Sequence, residues 1–505
     1  MPNVYQVAMF NAQRHPDKVA VSQGDAELSF AQLCARARAL ARHLANAGVE
    51  KGDRVAVMMS NSIDYLALFH ATAVSGFILV PVNTRYSESE LEHLITDCKP
   101  SVVVIESRFE TVAARLKQRF NSIQWQEGFA ACLPDLEIRN PVVRKFGCVE
   151  DDDVSIIMYT SGTTSSPKGA MLTHGNISAN AVNYIMELGI THEHSSLLAT
   201  PLFHIGGFGV VNGPILYAGG TLHIVPLFEM EGVMDALTRH HPSHVFLLSA
   251  MWVSLTDNDR FADLDLNFAQ FVQTAGAPLG QWRQELIRKV FPQAEFSGGF
   301  GMTESCVTTI KNRYTHEILD HPGSVGYLWR HVQYRLVSED GDVIDDPDQA
   351  GELHVRGPTV FKGYWDKPEL TNEILSVDGW LKTGDLFKID DQGYGYFLGR
   401  NKDMVKTGGE NVAALEVENC LAGHPTIREA AVFGLPHEYW GEELVAAVVP
   451  ACTDTPPNPE ELRSFCRQTL SGFKVPKRVF VVDCLPQSSS GKVQKFRLKE
   501  QFYHD

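Results

Sequence analysis

The sequence predicts an α/β protein: a large N-terminal body of helix-covered sheets with a β-rich subdomain, followed by a small α+β domain at the C-terminus. Strand and helix patterns alternate through the first part of the chain, the arrangement that builds parallel sheets covered by helices. Turn pairs such as Asp340-Gly341 and Gln392-Gly393 then punctuate a β-rich stretch that ends at "GYGYFLGRNKDMV". Beyond it the order becomes helix, strand, strand, helix, strand within about 100 residues. The boundary is expected between residues 1–400 and 401–505. A chain of 505 residues is too long for one compact core, and its length favours about three domains or subdomains.

Each element has its own signal. "SFAQLCARARALARHLANAG" puts Leu33, Ala37, Leu40 and Leu44 on one helix face, with Ser29 as N-cap and Gly48 as C-cap. "DRVAVMM" reads as a strand, residues 62–74 as a helix and "FILVPVN" as a strand, which together make one strand–helix–strand unit. "VSIIMY" (154–159) is short, apolar and β-branched, hence a buried strand, and Ile177, Ala181, Tyr184, Ile185 and Leu188 mark a later helix face. In the last region the pattern gives a helix over 414–422, strands over 428–434 and 443–449, a helix over 459–469 and a strand over 478–482.

Composition narrows the class. Hydrophobic residues at 44% and charged residues at 21% are globular values. No run of about 18 apolar residues occurs, and the first residues lack a secretory pattern, so a soluble, cytoplasmic protein is expected. No two of the nine cysteines lie within four residues of each other, which fits reduced thiols better than a metal ribbon. The net charge of -17 argues against a general nucleic-acid binder. From Ser471 to Asp505, however, seven Lys/Arg face three Asp/Glu, which suits either a solvated surface or an anionic ligand. "HEH" (192–194) and "RHHPSH" (239–244) lack metalloprotease spacing and read as turn or surface histidines.

One stretch carries chemistry on its face. "YTSGTTSSPKGAMLTHGN" (159–176) gathers three glycines and seven Ser/Thr hydroxyls around Lys168. Following a strand, such a loop offers open backbone N–H groups, hydroxyl donors and one cation, a set suited to a polyphosphate. The GxxxxGK[ST] pattern of the common NTPases is absent from the chain.

Six motifs occur in a fixed order: "YTSGTTSSPKG" (159–169), "PLFHIGG" (201–207), "GFGMTE" (299–304), "WLKTGD" (380–385), "GRNKDMVKTGGENV" (399–412) and "SSSGKVQK" (488–495). In this the sequence resembles the adenylate-forming superfamily of acyl-CoA synthetases, peptide-synthetase adenylation domains and luciferases, over nearly its whole length. The resemblance implies a two-step reaction: a carboxylate attacks the α-phosphate of ATP, giving an acyl-adenylate and pyrophosphate, and a thiol then displaces AMP. It implies that Thr160, Ser161, Gly162, Thr163, Thr164 and Lys168 hold the β- and γ-phosphates, that Thr303 binds the α-phosphate and that Glu304 binds Mg²⁺. Phe300 would stack on adenine, with Gly276, Ala277 and Pro278 along its edge. Asp385 would take the ribose hydroxyls, Arg400 the ribose or phosphate, and Lys492 would stabilise charge in the first step. All five of Lys168, Glu304, Asp385, Arg400 and Lys492 are present, which argues against a nucleotide-binding scaffold without catalysis.

The resemblance also gives the C-terminal domain a purpose. It is expected to rotate between the two steps about Lys402, with Gly408 and Gly409 then lining a channel for the pantetheine arm of CoA. His204 would border the carboxylate and acyl pocket. No carboxylate lies between Thr200 and Phe208 to hold an ammonium group, so an amino-acid substrate is not expected. Two positions depart from the family: Ser165 stands where glycine is usual, at about 1 kcal/mol if φ must be positive, and Phe300 replaces the commoner tyrosine. Gly298 and Gly299 add little bulk to the neighbouring pocket, so a fatty acid is the leading substrate class. Loading of an acyl group onto a carrier protein is the alternative to CoA.

Overall fold

The computed structural model describes residues 1–128, 149–160, 167–277, 279–312, 314–347, 349–408, 410–452, 456–487 and 493–503. The chain forms two compact units: Met1–Ala277, Leu286–Gln333 and Val355–Leu381 in the first, and Pro278–Glu285, Tyr334–His354 and Lys382–Asp505 in the second.

In the first unit the expected strand–helix–strand module is present. Helix α1 (Phe30–Asn46) begins with a reciprocal cap, in which Ser29 and Gln32 each accept from the other's backbone N–H. Strand β1 (Arg54–Met58) leads through α2 (Ile63–Ser75) into β2 (Ile78–Pro81), and β1 and β2 pair in parallel. Helix α2 is stopped by Gly76 in the left-handed conformation, φ 78°.

Strand β3 (Val154–Thr160) joins this sheet beside β2. Its continuation differs from the expected strand–loop–helix. The residues after the loop form a strand of their own, β4 (Lys168–Thr173), antiparallel to β3, before α3 (His174–Leu188) starts. The strands on either side of the Gly/Ser/Thr-rich segment therefore pair with each other, and Lys168 is the first residue of a strand. Thr173 caps α3 in a reciprocal pair with Asn176.

Further on come α4 (Ile205–Gly209), β5 (His244–Leu248), α5 (Ser249–Thr256), β6 (Phe271–Ala275), β7 (Glu295–Met302), β8 (Val307–Lys311) and β9 (Gly363–Tyr364). Two sheets result. One has seven strands, ordered β9, β4, β3, β2, β1, then 102–105 and 124–127; the other has nine and contains β8, β7, β6 and β5 side by side. Strands β5, β6 and β7 are parallel, and β5 and β6 are largely buried, so their sequences are apolar or small with few breaks. His244 begins β5 fully buried, which corrects the expectation of a turn or surface residue: the ring packs against His194 and Phe271. Burial pushes its imidazole down to about 3, so it is neutral.

The second unit holds β10 (Leu381–Ile389) and β11 (Gly395–Arg400) in a five-stranded sheet, joined by a hairpin with Gly393 at φ 89°. A second sheet follows: β12 (Met404–Thr407), β13 (Glu410–Ala413), helix α6 (Ala414–Ala422), β14 (Ile427–His437), β15 (Gly441–Pro450), α7 (Pro459–Thr469), β16 (Arg478–Val481) and α8 (Lys495–Phe502). Both faces of β15 are covered: Leu444, Ala446 and Val448 face the α6–α7 side, and Val445, Ala447 and Val449 meet Leu498 and Phe502 of α8. That double burial is why "LVAAVV" runs without alternation. Among the described residues no helix is long and apolar enough to cross a membrane.

Candidate active site

Thr160 pairs with Lys168 across β3 and β4. Gly169 follows because a Cβ there would come within 2.6 Å of Ile157 and 3.2 Å of the Tyr159 ring. The Lys168 ammonium lies 5.4 Å from the centre of the Tyr364 ring on β9, the strand beside β4. The hydroxyl of Tyr364 in turn donates to Glu304 at 2.7 Å. One tyrosine thus holds a cation over its face and a buried carboxylate, 7% exposed, at its tip. Sequence reasoning missed Tyr364, because sixty residues separate it from Glu304.

Thr303 and Glu304 lie in a tight turn, Thr303–Ser305, between β7 and β8. The turn ends with two consecutive non-glycine residues at positive φ, Cys306 at 51° and Val307 at 98°. Such conformations cost about 1–3 kcal/mol each and persist where the surroundings fix them. Gly209 of α4 supplies one constraint: a Cβ there would be 2.1 Å from Val307 Cγ2. The Cys306 thiol, pushed up to about 12 by burial, stays protonated and serves packing.

Phe300 lies near the C-terminal end of β7. Its neighbour Gly299 pairs with Ala275, the last residue of β6, so Gly276 and Ala277 leave the sheet alongside Phe300. Gly276 turns at φ 99°, and Ser249 Oγ sits within hydrogen-bond distance of the carbonyls of Ala275 (3.2 Å) and Ala277 (2.5 Å). These carboxyl ends of neighbouring parallel strands are where open α/β sheets receive ligands. His204 caps α4, its Nδ1 accepting from the Gly206 N–H at 3.1 Å. An accepting Nδ1 puts the proton of the neutral ring on Nε2.

In the second unit Asp385 is 2% exposed and pairs in register with Arg400, whose Nε is 3.3 Å from its Oδ1. Thr383 Oγ1 accepts from the Asp385 N–H at 3.1 Å, and Gly384 turns at φ 72°. Lys402 sits in the turn Asn401–Asp403 between β11 and β12. Gly408 has φ 61°, its N–H donates to the Trp440 carbonyl at 2.9 Å, and a Cβ would lie 2.9 Å from the indole. Local packing therefore already demands glycine there. Ser161, Gly162, Thr163, Thr164, Ser165, Pro278, Gly409 and Lys492 lie outside the described residues.

The first unit brings Lys168, Tyr364 and Glu304 together, sets Thr303 next to Glu304, and puts Phe300 beside Gly276 and Ala277. The second joins Asp385 to Arg400. A buried carboxylate oriented by a phenol is an oxygen ligand of the kind a hard ion such as Mg²⁺ prefers, so Glu304 fits that ion.

The glycines near the site have separate roles. A Cβ at Gly298 would meet nothing within 4 Å, whereas one at Gly299 would come within 3.1 Å of the Lys311 side chain. Gly299 thus makes way for a lysine stem as well as limiting bulk.

The chain is 36% identical over 495 residues to feruloyl-CoA synthase of Amycolatopsis sp, with 97% of each chain covered. It is 30% identical over 488 residues to the long-chain-fatty-acid–CoA ligase FadD13 of Mycobacterium tuberculosis, covering 95% of this chain and 94% of that one. Its fold matches the o-succinylbenzoate coenzyme A synthetase MenE of Bacillus subtilis in complex with ATP and magnesium, with a TM-score of 0.86, 29% identity and 99% of both chains covered. The AMP-binding enzyme model matches residues 10–365, and that of the AMP-binding enzyme C-terminal domain matches 416–492. Matched in both parts and in order, the chain belongs to the AMP-binding enzyme family.

Proposed function

We propose that this protein is an ATP-dependent, AMP-forming carboxylic acid:CoA ligase. The observation that carries the proposal is the Lys168–Tyr364–Glu304 arrangement beside Thr303. The chemistry requires such a set: a carboxylate and a triphosphate are both anions, so the site must neutralise charge and hold the reacting atoms in line. Lys168, with Thr160, Ser161, Gly162, Thr163 and Thr164, takes the β- and γ-phosphates that leave as pyrophosphate. Thr303 holds the α-phosphate, Glu304 would hold Mg²⁺, and the ion when bound neutralises phosphate charge. Phe300, Gly276, Ala277 and Pro278 seat the adenine; Asp385 and Arg400 bind the ribose. Lys492 stabilises the charge that develops between the carboxylate and the α-phosphate, and His204 borders the acid.

The region 401–505 turns about Lys402 after the first step, withdrawing Lys492 and offering Gly408 and Gly409 to the pantetheine arm. A fatty acid is the substrate class that open space at Gly298 favours, where a Cβ would meet nothing within 4 Å. The similar proteins are named for feruloyl, o-succinylbenzoate and long-chain fatty acids, so the acid is to be found by experiment.

The test is mass spectrometry of products from the purified chain with ATP, Mg²⁺ and pooled aliphatic, aromatic and amino acids, with and without CoA. An acyl-CoA formed only with CoA is expected. An acyl-adenylate that accumulates and ignores CoA would transfer the proposal to a carrier-protein thiol.

A further inference from the structure

The nine-stranded sheet buries a lysine that has no counter-charge among the described residues. Lys311, the last residue of β8, is 3% exposed. Its stem crosses β7 over Gly299, and its ammonium meets Oε1 of Gln273 on β6. The rings of Tyr184, on α3, and Trp329 stand 5.1 and 5.6 Å from the ammonium, edge to face with each other. Among the described residues no carboxylate lies within ion-pair distance of it. Desolvation pushes its ammonium well below the usual lysine range.

The surrounding polar atoms make the same demand. Among the described residues Gln273 Nε2, Ser297 Oγ and His244 Nε2 are buried without a hydrogen-bond partner. Gln273 and Ser297 are fully buried and pair in register, so their side chains share the face that Lys311 crosses. Among the described residues the amide N–H₂ and the hydroxyl are donors without an acceptor, and the ammonium is met by a neutral amide oxygen in place of an anion.

This cluster lies on the His204 side of the sheet. Helix α4, capped by His204, packs Gly206 against Phe246, the register partner of Gln273, and Gly209 against Val307 at the other end of β8. Helix α3 fixes α4 through Asn180, which donates to the Gly209 carbonyl, and carries Tyr184 one turn further on. Gly299 is four residues before Thr303, on the strand that runs to Met302 and into the Thr303–Ser305 turn.

We propose that Lys311 is a specificity-determining residue: it receives a second carboxylate at the far end of an acid whose reacting carboxylate lies beside Thr303. The proposal rests on the ligase reading above and puts a dicarboxylic acid in place of a fatty acid as its substrate class. The second carboxylate supplies the missing charge and accepts from Gln273 Nε2 and Ser297 Oγ, while Tyr184 and Trp329 flank the chain that leads to it. A monocarboxylic acid of equal length ends in a methyl group and leaves the ammonium without a counter-charge and the other two donors unpaired.

The experiment uses the full chain with ATP and Mg²⁺ and follows pyrophosphate release from matched pairs: dicarboxylic acids from succinate to sebacate against the monocarboxylic acids of the same length, and terephthalate against benzoate. The best dicarboxylic acid should exceed its partner by at least about tenfold in kcat/KM. Lys311→Met should abolish that preference, chiefly through KM for the acid and with KM for ATP unchanged, and Lys311→Arg should retain its direction. Equal use of both members of every pair by the unsubstituted protein overturns the proposal, as does a Lys311→Met variant that loses both alike. Should Lys311→Met not fold, thermal stabilisation of the unsubstituted protein by sebacate but not by decanoate supports the proposal, and equal stabilisation overturns it. If no acid of any kind releases pyrophosphate, the ligase reading itself fails, an outcome distinct from the loss of preference alone.

Discussion

Two lysines stand over aromatic rings in the first unit, and their company differs. Lys168 shares Tyr364 with the carboxylate of Glu304, so cation and anion sit on one ring system. Lys311 is held by two rings and a neutral amide, with unpaired donors around it. A balanced pair suits a ligand that brings its own metal and is handled the same way in every turnover. An unbalanced cation suits discrimination, because only a ligand with the missing charge relieves it.

The phosphate end and the Lys311 end should respond separately to substitution. Lys492→Ala should lower acyl-adenylate formation by about 10²–10³-fold for every acid alike, while thioester formation from a supplied acyl-adenylate is largely spared; half-reaction kinetics measure both. Equal loss in the two halves would remove Lys492 from the first step. Glu304→Gln comes next, with a loss of about 10²-fold and a raised Mg²⁺ requirement in pyrophosphate release, again independent of the acid. A change in acid preference would contradict the separation of the two ends. Tyr364→Phe keeps the ring under Lys168 and removes only the phenol, so a loss of about tenfold is expected from one hydrogen bond to a charged group. An effect as large as that of Glu304→Gln would mean that the tyrosine does more than orient the carboxylate.

The smallest effect concerns stability at the Lys311 end. The folded protein binds the Lys311 proton less tightly than the unfolded chain, in which lysine titrates near about 10.4. Between the depressed folded value and that one, the unfolded state holds more protons, so stability rises with pH through this window. Denaturant unfolding at several pH values should show the rise in the unsubstituted protein and a flatter profile in Lys311→Met. Identical slopes would mean that the burial of this ammonium is relieved by other means.

Much of this was legible in local pattern. The cap at Ser29, the parallel unit around α2 and every element from α6 to β16 follow from short-range spacing, and the order of the six motifs identified the family. The pieces that escaped depend on distance. "KGAMLT" became a strand because β3 and β9 flank it, which the run of six residues does not announce. Tyr364 gains its meaning only from Glu304. Lys311, in "TTIKNRY", looks like the polar end of an edge strand until α3 and Trp329 are folded over it. His244 was likewise legible as polar and not as buried.

The notch at Gly209 has an evolutionary consequence. Its missing side chain is the space that Val307 occupies, and Val307 in turn holds the left-handed bend that follows Thr303 and Glu304. Two codons far apart in the gene are thereby tied to one another. A descendant that gains a methyl group at 209 must shed bulk at 307 in the same lineage, so the two positions should drift only as a pair.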